Sequence, residues 1–144
     1  MLGVIETVKK WFIKEEKEEV FIDSLEYRIR DLFNKIKIRY TDNYEDANFK
    51  IEYAAALDMK EYQQTLFVKF NSKQGLVNLC LRVTDIYYNH EYIGTQYLFK
   101  YSKNQQCIFD VSINEKHEIK KENYKDITEE QIDLAILEIE EYLK

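Results

Sequence analysis

From Ile36 to Ile113 apolar side chains recur at every second position, and the chain on either side of that stretch follows a helical period instead. Phe49, Ile51, Tyr53 and Ala55 alternate with polar or small neighbours, as do Leu66, Val68 and Phe70. Val77, Leu79, Leu81 and Val83 repeat the pattern, followed by Tyr97, Phe99 and Tyr101, then Cys107, Phe109, Val111 and Ile113. A period of two places each set on one side of a pleated strand. Ile36, Ile38 and Tyr40 alternate with Lys35, Lys37 and Arg39, which predicts a first strand ahead of the turn-rich TDNYED. The segments LDMKE, NSKQG, NHEYIG and SKNQQ have the length and turn residues of hairpin connections. None is long enough for the crossover that parallel pairing requires, so the strands run antiparallel in chain order.

The ends have another rhythm. Val4, Val8 and Trp11, then Ile22, Leu25, Ile29, Leu32 and Ile36, are spaced for one face of a helix, interrupted at Glu15 and Glu18 in the run KEEKEE. Burying two carboxylates in an apolar stripe is costly, so two helices are expected rather than one rod. Asp23 and Glu26 have capping-box spacing and mark the expected start of the second. The alternative is one long helix whose glutamate run stands out in solvent. Near the other end, Thr128 and Gln131 form a second capping box ahead of the stripe Ile132, Ala135, Ile136, Ile139 and Leu143. The fold class expected is α+β: an antiparallel meander of five to six strands, with N-terminal helix or helices and a C-terminal helix packed on one face.

At 144 residues, 45% hydrophobic and 15% aromatic, the chain has material for a real core and is read as a single domain over 1–144. A net charge of −6 with interspersed signs argues against nonspecific nucleic-acid binding and against an anionic membrane surface. No apolar run is long enough to span a bilayer, and the N-terminal residues lack the pattern of a signal peptide, so a cytoplasmic protein is expected. Lys, Ile, Asn, Tyr and Glu are abundant and proline is absent, a usage that suits a low-GC bacterium or its phage. Cys80 and Cys107 lie in strand-like runs without ligand spacing; reduced, packed thiols are expected, with a bridge open only if the register aligned them.

Catalytic signatures are scarce. His90, in YYNHEY, has Asp85 and Glu91 nearby in sequence, and His117 lies in EKHE, yet neither has the paired spacing of a zinc site. Ser24, Ser72, Ser102 and Ser112 lack the nucleophile-elbow pattern. Three glycines leave no phosphate loop, and no cofactor or metal is expected.

Two surfaces stand out. Tyr87, Tyr88 and Tyr92 crowd around His90, and tyrosine gives contact area at low entropy cost, although strand tyrosines such as Tyr97 and Tyr101 more commonly fill a core. Acidic runs at Glu15, Glu16, Glu18 and Glu19, and again at Glu138, Glu140 and Glu141, would steer a basic partner, although such runs more commonly serve solubility. The expected function is therefore a non-enzymatic acidic module that sequesters or inhibits a protein partner, in the manner of immunity proteins, inhibitors or chaperones. The alternative is a small-ligand domain with a pocket between sheet and helices, with His90 and Asp85 as a weak catalytic pair. A homodimer through an edge strand or the first helix is a third possibility.

Overall fold

The computed structural model describes the backbone of residues 2–40, 43–122 and 128–143, and the side chains in those ranges from residue 19 onward, except 121 and 122. It is an α+β fold. Helix α1 (Leu2–Arg39) precedes seven strands, and helix α2 (Glu129–Leu143) follows them. The strands are β1 (Tyr44–Glu45), β2 (Phe49–Leu57), β3 (Glu61–Ser72), β4 (Gly75–Tyr88), β5 (Glu91–Lys103), β6 (Gln106–Ile113) and β7 (Ile119–Glu122). They form one open antiparallel sheet in chain order.

The alternation predicts one side of this sheet well. Leu66, Val68, Phe70, Val77, Leu79, Leu81, Phe99, Phe109, Val111 and Ile113 are all at most 2% exposed. The helices roof them, joining Ile22, Leu25, Ile29, Leu32, Phe33 and Ile36 of α1 and Ile132, Ala135, Ile139 and Leu143 of α2 to one core cluster. Two ion pairs show the relative direction of the helices. Arg28 meets Asp133 and Lys35 meets Glu140, seven residues further along in both, so α1 and α2 run parallel.

Four expectations are corrected. The sheet has seven strands rather than five to six, because TDNYED contains β1 and the polar stretch after Ile113 contains β7. The N-terminal region is one helix of 38 residues. Asp23 and Glu26 therefore lie within α1 and start no second helix; Glu26 instead pairs with His117. Ile36, Ile38 and Tyr40 form no strand. Ile36 is the last knob of the helical stripe at 0% exposure, whereas Ile38 is 80% exposed. The capping box at Thr128 does form: the Thr128 amide donates to Gln131 Oε1 at 3.1 Å, and the Gln131 amide donates to Thr128 Oγ1 at 3.3 Å.

The turns follow the residues supplied to them. Asn89–His90 and Asn104–Gln105 are two-residue links in which all four residues have positive φ, as hairpins with a matching twist need. Gly94 (φ +159°) sits opposite Ile86 beside a bulge, and a Cβ there would lie 2.8 Å from the Glu115 carbonyl oxygen. Cys80 and Cys107 are free and half-buried; β5 separates their strands, so they do not bridge.

Candidate functional site

The roof is incomplete beside α2. Between that helix and the β3–β4 and β5–β6 turns runs an open groove of about 780 Å³. Its apolar wall is made by Ile108, Phe109, Ala135, Leu134 and Leu137. Leu134 and Leu137 are 61% and 57% exposed, one helical turn apart, and outside the stripe that α2 buries in the core. Glu138 and Glu141 continue this second stripe at helical spacing.

One polar cluster anchors the groove. The Tyr101 hydroxyl donates to Glu138 Oε2 at 2.5 Å, and Lys103 Nζ donates to the same oxygen at 3.0 Å. Lys103 also reaches Gln74 Oε1 at 3.1 Å. Partial burial opposes ionisation of Glu138, but hydrogen bonds from Tyr101, Lys103 and Ser72 outweigh it and hold the carboxyl below its usual range. Burial, then the Glu138 carboxylate, pushes the Tyr101 phenol well above its usual range, so it acts here as a donor.

Charge adds a second property. Helix α2 carries six acidic residues and no basic one. Asp133, Glu140 and Glu138 are neutralised by Arg28, Lys35 and Lys103. Glu129, Glu130 and Glu141 are left exposed, with no ion-pair partner among the described residues.

The residues singled out from sequence lie elsewhere. Tyr88 and Tyr92 are 69% and 57% exposed at the tip of the β4–β5 hairpin, with Tyr87 half-buried and edge-on to Tyr92 at 5.9 Å. Leu57, Met59 and Ile93 are exposed at the same end of the sheet. His90 occupies the second turn position and is itself exposed. Asp85 accepts the Thr95 hydroxyl at 2.8 Å, and no hydrogen bond joins it to His90 among the described residues. The hairpin tip and the groove lie at opposite ends of β5, roughly 40 Å apart along a 13-residue strand. Glu19 is exposed on α1, and the side chains of Glu15, Glu16 and Glu18 lie outside the described residues. Tyr97 and Tyr101 are core residues, with the Tyr97 hydroxyl accepting from Arg30.

Two other places have chemistry to offer. On the open face, Phe67, Cys80 and the stems of Lys50, Lys69 and Lys100 line a trough of about 310 Å³. Burial pushes the Cys80 thiol up, against the pull of Arg82 and Lys100, which leaves it a poor nucleophile at neutral pH. Asp23, Glu26 and His117 bring one donor atom each within 4.8 Å of one another and could supply three ligands to a divalent cation. Among the described residues, no helix is long and apolar enough to cross a membrane.

A pocket between sheet and helices is among the expectations from sequence, but the residues that line this groove are not, although a signal for them is present. Leu134 and Leu137 are the two aliphatic α2 residues that the core stripe leaves unassigned. No family model matches the chain, and neither a curated protein nor a solved structure matches it.

Proposed function

We propose that this protein is a non-enzymatic binding module that sequesters or inhibits a protein partner, holding a basic, amphipathic segment of it in the groove beside α2. The observation that carries this reading is the exposed leucine pair of α2, set beside a helix face whose unpaired charges are all acidic. Leu134 and Leu137 supply a centre that a partner would desolvate, and Glu141 on the groove wall, with Glu129 and Glu130 exposed elsewhere on α2, supplies negative charge that speeds encounter with a basic segment. The tyrosine hairpin, Tyr87, Tyr88 and Tyr92 with His90, is a separate contact surface in this proposal. It is too far from the groove to serve the same short segment.

Affinity capture from the native host's extract tests it, with the native chain and a Leu134→Asp/Leu137→Asp variant as paired baits. The expected result is a protein retained by the native chain, lost with the variant and weakened by raised salt. Equal retention by both baits overturns the groove as the docking site.

A second reading is favoured by one observation. The groove lies within the size range of small-molecule sites, and the Tyr101–Glu138–Lys103 cluster offers it a fixed donor and acceptor set. Stabilisation of the native chain by a metabolite, lost in Glu138→Gln, would favour that reading over the first.

A further inference from the structure

The far edge of the sheet is guarded unevenly. Strand β1 pairs only with Lys50 and Ile51, so among the described residues the rest of β2 up to Leu57 has no neighbouring strand on that side. Hydrogen bonds at its two ends show which residues turn their backbone outward. The Phe49 carbonyl accepts from the Asp46 amide at 2.8 Å, and the Tyr53 amide donates to Asn43 Oδ1 at 3.2 Å, both on the β1 side. On the β3 side, the Asn48 carbonyl accepts from the Asn71 amide at 3.0 Å. Odd-numbered residues of β2 therefore address the edge, and the amides and carbonyls of Ala55 and Leu57 have no partner among the described residues.

Exposed edges are normally blunted by charge, proline, a bulge or brevity. The opposite edge strand, Ile119–Glu122, is short and reads IKKE. The bare part of β2 reads Ala-Ala-Ala-Leu from Ala54 to Leu57. All four residues are exposed, and Leu57 and Met59 are 74% and 80% exposed.

We propose that this edge is a homodimer interface, in which Ala54–Leu57 of two copies pair antiparallel and continue the sheet through a twofold axis. The parity of the edge restricts the register, because only odd residues can exchange hydrogen bonds across it. With the axis at Ala56, Ala55 of each copy pairs with Leu57 of the other. Every outward group of those two residues is then satisfied, Ala56 meets its own copy, and Ala54 faces Asp58. Moving the axis to Ala55 would compete with Asn43 for the Tyr53 amide and set Glu52 opposite Asp58, two like charges. Moving it to Ala54 would put Leu57 where Tyr44 already pairs with Ile51. The small side chains of Ala54, Ala55 and Ala56 let the backbones approach. An interface this short falls toward the low end of specific contacts, so the dimer is weak and concentration-dependent. A second copy is favoured over an unrelated strand because the segment pairs with itself in a permitted register that sets no like charges opposite each other.

Sedimentation velocity from about 5 µM to about 500 µM is the test, spanning the affinities that small interfaces reach. The native chain should pass from monomer to dimer. Ala56→Lys, an exposed change that puts like charges together at the axis, should remain monomeric with an unaltered circular dichroism spectrum. In a Cys80→Ser/Cys107→Ser background, Ala56→Cys should cross-link on mild oxidation, because the paired residues face each other without intervening hydrogen bonds. Ala55→Cys should not. Leu134→Asp/Leu137→Asp should dimerise normally, which separates this proposal from the groove reading. A native chain monomeric throughout, a dimer that survives Ala56→Lys, or cross-linking through Ala55→Cys instead would each overturn it.

Discussion

The roofed and open faces of this sheet come from the same strands, one residue out of step, and they differ in almost everything else. Toward the helices the strands present Phe49, Ile51, Leu66, Val68, Phe70, Leu79, Leu81, Phe99 and Phe109, all buried. On the other side the same strands present Lys50, Glu52, Phe67, Lys69, Cys80, Arg82, Lys100 and Asp110. Thr65 and Thr84, only 3% exposed, are the buried polar positions there, and Arg82 Nε donates to Thr65 Oγ1 at 3.3 Å. The contrast shows where folding energy is concentrated. Removal of apolar area from water is spent on one face, so the other is held mainly by its ladder hydrogen bonds and is free to carry charge.

Truncating one aromatic on each face tests this contrast most directly. Phe99→Ala should cost about 3–5 kcal/mol of stability through the cavity it leaves. Phe67→Ala, on a residue 45% exposed, should cost less than about 1 kcal/mol. Urea unfolding of both variants checks the difference, and equal losses would mean that the open face is covered in solution.

The groove sharpens the comparison, since it is the place where the roof stops short. Because the Glu138 carboxyl is held below its usual pKa, its contribution is fully present above the ordinary carboxylate value and is lost as pH falls through the lowered one. Unfolding midpoints measured from about pH 6 down to about pH 3 should therefore fall more for the native chain than for Tyr101→Phe. At neutral pH, Tyr101→Phe should itself cost about 1 kcal/mol, the value of one lost hydrogen bond. An identical acid dependence in the two chains would remove Tyr101 from that network.

The smallest effect belongs to the pair of Glu26 with His117, where the imidazole is 66% exposed although the Glu26 side chain is only 15% exposed. His117→Ala should shift stability by no more than about 0.5 kcal/mol at any pH, because solvent screens such pairs. A larger loss in thermal unfolding would show that this corner ties the β6–β7 turn to α1 more firmly than the exposed geometry implies.

Legibility along the chain followed how local the deciding interaction was. Alternation is a property of successive residues, so the strands from Phe49 to Ile113, the hairpins between them and the side facing the helices could be read directly. The Thr128–Gln131 cap and the α2 core stripe are local in the same sense. The break expected near Glu15 and Glu18 assumed that the whole apolar stripe of α1 is buried. Glu and Lys are good helix formers, so the run KEEKEE continues the helix by local propensity. Ile36–Tyr40 satisfied both periods over five residues, and docking of Ile36 into the core decided for the helix. Strands β1 and β7 are too short for any period to appear; they exist because a neighbouring strand offers a ladder.

The pleated middle with one greasy side, its chain-order hairpins and the capped helix after it are encoded locally, because each depends on residues within a few steps of one another. Only the tertiary structure decided that the helices lie parallel, that α2 leaves Leu134 and Leu137 uncovered, and that β1 stops short of Ala55. Those outcomes depend on which distant surfaces meet and how far each extends, and no local pattern of side chains encodes either.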